Sequence, residues 1–287
     1  MMTPMPAWDR TNQMPGERPF EAYHMRDTTA QPRIIHSHEF YEIYFFVSGR
    51  IRIVTEEVDV CPRRGDVLVF LPHCMHRNIH LSAEEPYERF YLYASRAFVQ
   101  SITGCGVELS ACLDTLVQEK GLLFHLHDAA LETLMQATDE VISASEQTAP
   151  EDALINQYRM AILLLQTTAS LKSGSTAAQQ IPQSRMNPIL RYLNDHALED
   201  VSLDHLADTF FISKYALLRE FKAYTGITIH QYVLAKRILK AQELLMQGEK
   251  PYQVGELCGF SDYTCFYRAF RNRTGMSPVQ YSHQHHA

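Results

Sequence analysis

Two imidazoles and a carboxylate stand close together in the stretch "HSHEFYEIYFFVSGR", residues 36–50. His36, His38 and Glu42 form an H-x-H-x-x-x-E arrangement, with Gly49 downstream. They could hold a divalent metal and support catalysis, since these ligand types suit Zn, Mn, Fe or Ni. They could supply the few placed polar groups of a pocket for an organic guest. They could also satisfy one another as a structural hydrogen-bonded cluster. Taken alone, the stretch leaves all three open.

Strands must position these groups. Alternation puts Glu42, Tyr44 and Phe46 on one strand face, and His36 and His38 on one face of the segment before it. "EIYFFV", "IRIVTEEVDV", "DVLVFL" and "ERFYLYAS" are short aromatic and β-branched runs parted by polar turns. Residues from about 20 to 95 therefore read as an all-β sandwich or barrel. Its aromatic residues (Tyr41, Tyr44, Phe45, Phe46, Phe70, Tyr87, Phe90, Tyr91, Tyr93) fit a pocket wall and equally a packed interior.

The period changes over residues 107–172, where "LSACLDTLVQE", "DAALETLMQATDEVIS" and "EDALINQYRMAILLLQTTASL" carry apolar residues at helical spacing. In the last, Leu154, Tyr158, Ala161 and Leu165 form a stripe that Ile155, Ile162 and Leu163 broaden. So wide a face needs cover, from the β-region or from a second subunit. "SGSTAAQQIPQS", residues 173–184, reads as a linker.

The 287-residue chain is 46% hydrophobic, 21% charged and 10% aromatic, the balance of a globular protein with room for two domains. The opening "MMTPMPAWDRTNQMPGERPF" has no apolar core for a signal peptide, and "MAILLL" is too short to span a membrane. A cytoplasmic location without a membrane partner is expected. The six cysteines form no C-x-x-C pair and read as reduced thiols, with Cys258 and Cys265 the candidates for redox sensing. Residues 1–183 carry 14 Lys and Arg against 23 Asp and Glu, whereas residues 184–287 carry 12 against 10. An acidic front and a mildly basic back point a polyanion toward the back.

That back half repeats itself. "SKYALLREFKAYTG" (213–226) aligns with "DYTCFYRAFRNRTG" (262–275), pairing Leu217 with Phe266, Arg219 with Arg268, Phe221 with Phe270 and Lys222 with Arg271. Each copy follows a short helix and a tight turn, the helix-turn-helix pattern whose second helix enters the major groove. Helical spacing sends Leu217, Phe221, Phe266 and Phe270 inward. It sends Tyr215, Arg219 and Lys222, flanked by Lys214 and Leu218, outward in one copy, and Thr264, Arg268 and Arg271 in the other. An arginine at mid-helix can grip guanine; the basic residue a turn later suits phosphate.

Residues 185–281 resemble the DNA-binding domain of the AraC/XylS family of transcription regulators. The likeness rests on G-F, F-x-x-x-F and G-M-S-P-x-x-Y in "GFSDYTCFYRAFRNRTGMSPVQY". The resemblance implies two reading units joined by a long helix, here about residues 228–247. Base-reading positions would be Tyr215, Leu218 and Arg219, then Thr264, Cys265 and Arg268. Two residues depart from the pattern: Gly255 in place of an alanine, and Ser282 in place of an arginine. "HSHEFYEIYFFVSG" in turn resembles the first cupin motif. "GDVLVFLPHCMHRN" (65–78) resembles the second, altered at Cys74 and one residue short between Pro72 and His76. His76 would then complete a His/His/Glu/His set.

These readings combine into a multidomain regulator. Residues 1–104 would be a cupin-like β-barrel of double-stranded β-helix type, and 105–172 a helical dimerisation segment. Residues 173–184 would be the linker, and 185–287 the all-α double helix-turn-helix. Its partners would be double-stranded DNA, a second copy and a small-molecule effector such as a sugar or organic acid, with RNA polymerase a further candidate. The effector would meet His36, His38, Glu42, Tyr44, His76 and Tyr93. No cofactor is expected. The enzyme alternative is a metal-dependent isomerase or dioxygenase using His36, His38, Glu42 and His76, and a further alternative is a DNA-binding regulator whose barrel only dimerises.

Overall fold

The computed structural model describes residues 18–28, 34–82, 84–147, 149–176 and 184–286. Residues 1–17, and 177–183 of the expected linker, lie outside them. The chain divides into two compact units, with the division after Pro182.

The first unit begins with strands β1 (Phe20–Asp27), β2 (Phe40–Ser48), β3 (Ile51–Thr55), β4 (Asp59–Val60), β5 (Asp66–Phe70), β6 (His76–His80) and β7 (Tyr87–Ser95). Helix α1 (Arg96–Ser101) and a small hairpin, β8 (Thr103–Gly104) with β9 (Val107–Glu108), lead to α2 (Leu109–Lys120). Strand β10 (Leu123–His125), α3 (Asp128–Ala144), α4 (Pro150–Ser173) and β11 (Ser175–Thr176) complete it. One sheet has the order β1-β7-β2-β5-β10-β11 and a second the order β4-β3-β6. An isolated bridge pairs His36, in the segment before β2, with His76 of β6 in the smaller sheet.

Both faces of the larger sheet are covered, which explains why "FYEIYFFV" is apolar almost throughout. Tyr41, Ile43, Phe45, Val67, Val69, Phe90 and Leu92 pack against helical Leu113, Leu116, Leu131, Leu134, Met160, Leu163 and Leu164. The alternate residues Phe40, Tyr44, Phe46, Leu68, Phe70, Tyr91 and Tyr93 pack with Ile51 and Ile53 of the smaller sheet. The helical segment thus shares a core with the strands. Its longest helix, α4, buries Met160, Leu163, Leu164 and Leu171 while Leu154, Ile155, Tyr158, Ile162 and Leu165 stay exposed. Of the stripe that helical spacing marks out, Leu163 and, in part, Ala161 are covered by this core, while Leu154, Ile155, Tyr158, Ile162 and Leu165 are not covered by any of the described residues.

The second unit is all helix: α5 (Met186–Asp195), α6 (Leu203–Thr209), α7 (Lys214–Thr225), α8 (Ile229–Met246), α9 (Pro251–Leu257), α10 (Tyr263–Thr274) and α11 (Pro278–His286). Each start and stop has a local cause. Ser213 Oγ accepts from the Ala216 amide at 3.2 Å and Asp262 Oδ1 from the Cys265 amide at 2.8 Å, capping α7 and α10. Thr228 and Gln231 form a reciprocal capping box at α8. Leu217, Phe221, Phe266 and Phe270 are fully buried, as their spacing predicts. Tyr281 is buried too, edge-on to Phe270 with ring centroids 5.4 Å apart. No helix among the described residues is long and apolar enough to cross a membrane.

Candidate effector site and nucleic-acid interface

The bridge from the segment before β2 to β6 brings together residues distant in sequence. His38 Nε2 lies 2.7 Å from Glu42 Oε2, and His76 Nε2 lies 3.5 Å from the same oxygen. His38, Glu42 and His76 are buried, and their ligand atoms all fall within 4.8 Å of one another. His36 stands beside this group, with its ring centroid 4.4 Å from that of His76 and 6.5 Å from that of His38. Tyr93 meets His38 edge-on at 6.3 Å. Tyr44 turns elsewhere, its hydroxyl 2.9 Å from that of Tyr87.

Proton positions decide what the cluster can bind. Nδ1 of His38, His76 and His36 faces the carbonyls of Phe40 (2.9 Å), Cys74 (3.1 Å) and Ile34 (3.1 Å) respectively. A carbonyl only accepts, so each Nδ1 carries the proton it donates, and a neutral ring then leaves Nε2 as a lone pair. In His38 that lone pair faces a carboxylate. Either a second proton or a guest bearing positive charge relieves the opposition. Burial resists the proton: desolvation is the main cause holding His36 and His38 below the ordinary histidine value, with the neighbouring imidazoles adding to it. Burial also pushes the Glu42 carboxyl up, but hydrogen bonds from His38 and His76, made when those rings carry the Nε2 proton, outweigh it and hold the group well below the usual carboxylate range. Asn78 Oδ1, two residues along the strand from His76, is buried without a hydrogen-bond partner and adds an acceptor. The donor set fits a divalent cation.

The candidate reading faces in the second unit are open where the histidines are closed. Lys214, Tyr215, Leu218, Arg219 and Lys222 of α7 are exposed, as are Thr264, Cys265, Arg268 and Arg271 of α10. Lys214 Nζ reaches Asp204 at 2.9 Å, and the Arg219 guanidinium lies 5.7 Å from the Tyr215 ring. Cys258, the other cysteine singled out by sequence, is fully buried, and burial pushes its thiol up to about 12, which keeps it protonated and inert.

The turns before α7 and α10 share one geometry. Ile212 and Phe211 amides donate to the carbonyls of Ala207 (3.0 Å) and Asp208 (3.3 Å). Phe260 and Gly259 amides donate to Gly255 (3.0 Å) and Glu256 (2.9 Å). Both are Schellman closures, which need a left-handed residue where the helix ends. Gly259 meets that need at φ 76°, while Phe211 occupies the same conformation at φ 52°. A side chain there costs about 1–2 kcal/mol.

A family model described as an AraC-like ligand binding domain matches residues 15–164, and a helix-turn-helix domain model matches residues 206–284. The chain belongs to the AraC family of transcription regulators. Among AraC-family relatives, the probable transcriptional regulator LumQ of Photobacterium leiognathi is 25% identical over 258 residues, covering 89% of this chain and 94% of its own. The HTH-type transcriptional activator RhaS of Escherichia coli O81 (strain ED1a) is 28% identical over 245 residues, 85% of each chain. The solved structure of ToxT from Vibrio cholerae O395 covers 92% of this chain and 97% of its own, at 13% identity and a TM-score of 0.36. As an AraC-family member the protein is a DNA-binding transcription regulator with a ligand-binding domain, and the enzyme reading of its histidines falls away.

Three residues at or near these sites gave no sequence motif. Buried Arg89 pairs with Asp27 at 2.6 Å, donates to the Tyr91 hydroxyl at 3.2 Å and lies 4.1 Å from the centroid of the Tyr87 ring. Alternation in "YERFYLY" already puts it on the Tyr87 and Tyr91 face. Arg237 of α8 donates to the carbonyls of Ala197 (2.8 Å), Gly259 (2.6 Å) and Glu199 (2.7 Å), tying the end of α5 to the second turn. Phe211 is the third, conspicuous only once its backbone is seen.

Proposed function

We propose that this AraC-family regulator senses its effector at the junction of the two sheets, in a cupin-like barrel of double-stranded β-helix type. His36, His38, Glu42, His76 and Tyr93 form the recognition surface, with Tyr44 contributing a wall through Tyr87. The observation that supports this placement is the buried group in which His38 Nε2 and His76 Nε2 both approach one Glu42 oxygen, at 2.7 and 3.5 Å. Such a surface favours a guest that brings positive charge, a divalent cation foremost, and disfavours an organic acid. His38, Glu42 and His76 would hold the ion, with His36 nearest to joining them.

The regulator reads DNA with Tyr215, Leu218 and Arg219 in one half-site and Thr264, Cys265 and Arg268 in the other. Lys214, Lys222 and Arg271 serve phosphate. The exposed apolar stripe of α4 pairs two copies, and effector binding favours one of the DNA-bound arrangements of that dimer. The domain limits follow the two units, with the linker about residues 173–184, in a cytoplasmic protein.

Dialysis of the purified chain against Zn²⁺, Mn²⁺ or Ni²⁺ tests the site. Near-stoichiometric metal, lost in His76→Ala and Glu42→Gln, is the expected result. A ligand at about 100 times its dissociation constant adds about 2.7 kcal/mol of stability. Thermal shifts from sugars or acids, with no metal retained, would return the site to an organic guest. For the dimer, Ile162→Glu should sediment as a monomer; an unchanged mass removes α4 from the interface.

A further inference from the structure

The first helix-turn-helix carries an exposed apolar series at places where its twin, whose exposed apolar residues are Tyr252, Leu257 and Tyr263, has none. Phe211 is 96% exposed and Tyr215 75%, and Leu218 is exposed one turn further along α7. Phe211 stands in the turn two residues before the capping Ser213, and Tyr215 and Leu218 follow on the outward face of the helix. In the second unit the corresponding places hold Gly259, Thr264 and the half-buried Tyr267. Hydration cannot favour a fully exposed phenyl group, and its backbone sits where glycine is at ease. Nothing inside the described unit compensates for either, because Phe211 points at solvent. A strained, exposed aromatic residue continuous with a DNA-facing helix calls for an apolar feature of the DNA itself.

The major groove offers one such feature, the thymine methyl group. We infer that Phe211, Tyr215 and Leu218 read thymine methyls in the half-site taken by the first helix-turn-helix, while Arg268 reads guanine in the half-site of the second. Arg219, whose guanidinium lies near the Tyr215 ring, sits at the end of the apolar strip toward Lys222 and supplies the one polar base contact there. Lys214, held by Asp204, and Lys222 flank the strip with the charge that keeps DNA against it. The inference rests on the assignment of α7 and α10 as reading helices.

The test uses a duplex recovered by selection from a random-sequence pool with the full-length chain. Each thymine is then replaced by deoxyuridine, which removes only the methyl. Wild type should lose about fourfold in affinity at one or more positions of the first half-site, the worth of a buried methyl group. The second half-site should be indifferent. Phe211→Gly should melt at a higher temperature than wild type, because glycine suits the left-handed turn, yet bind more weakly and discriminate less between thymine and uracil. A flat deoxyuridine scan, or a Phe211→Gly chain that binds and discriminates like wild type, overturns the inference. Arg219→Ala separates the two possible failures. If it weakens specific binding while the scan is flat, α7 reads DNA without the apolar strip. If it is silent as well, the assignment of the reading helix fails too.

Discussion

The two helix-turn-helix units fold the same backbone with different side chains. Where the first has Ala207 in the helix before the turn and buried Leu217 in the helix after it, the second has Gly255 and buried Phe266. A methyl group added at Gly255 would lie 3.0–3.1 Å from Phe266 atoms, tighter than ordinary packing. The departure at Gly255 is therefore half of a size exchange: the larger inward residue takes the space that the helix gives up. Duplication has kept the summed volume rather than the residues. The turns differ in the opposite sense. A Cβ on Gly259 would come within 2.2 Å of the Leu198 carbonyl, so only glycine fits, whereas Phe211 faces solvent and its side chain is strained but unobstructed.

The largest expected effect comes from emptying one core. Phe266→Ala should cost about 3–5 kcal/mol in urea unfolding. Hydrogen-exchange protection should fall first in α9, α10 and α11, which close around Phe266, Phe270 and Tyr281. Equal loss in α5–α7 would show that the two copies share one folding unit. Next, Arg268→Ala and Arg219→Ala should each lose about 1–3 kcal/mol of specific binding, at different half-sites. Footprints that weaken at the same half-site for both would end the comparison.

The size exchange itself predicts a smaller effect. Gly255→Ala gains up to about 1 kcal/mol of helix propensity but crowds Phe266. Combined with Phe266→Leu it recreates the arrangement of the first copy. A double-mutant cycle should therefore show favourable coupling of about 0.5–3 kcal/mol, and additivity would refute the exchange. The smallest effect is a difference in pH response. Asp262 caps α10, and the backbone amide of Cys265 that it accepts from lowers its pKa. Its capping contribution is present above the ordinary aspartate value and is lost as pH falls through the lowered one. Ser213 does not titrate there. Amide exchange between about pH 5 and 3 should accelerate at the start of α10 and leave the start of α7 unchanged.

The sidedness of α7 and α10 was legible in the sequence because it depends on local spacing. Arg219 and Arg268 are exposed and Phe221 and Phe270 buried for the same reason, a 3.6-residue period. The histidine cluster was only half legible. His38 and Glu42 are neighbours in one strand entry, but His76 reaches them through a bridge that no local pattern encodes. Tyr44 shares the strand face of Glu42 and yet bonds Tyr87, because an exact side-chain partner depends on packing across sheets. Strand β10 was missed inside a helical stretch. Three residues give no period, and its pairing with β5 is what makes it a strand.

Sequence by itself determined the architecture of two unlike halves, the duplicated units and the sidedness of their helices. Repeats, alternation and helical spacing are properties of residues near one another along the chain. Tertiary structure alone decided which acceptors meet around Glu42, which stripe of α4 remains open, and that Phe211 rather than glycine holds a left-handed turn. Each of these turns on where a distant segment comes to rest. Burial and the proton positions that follow from it exist only once that segment has arrived.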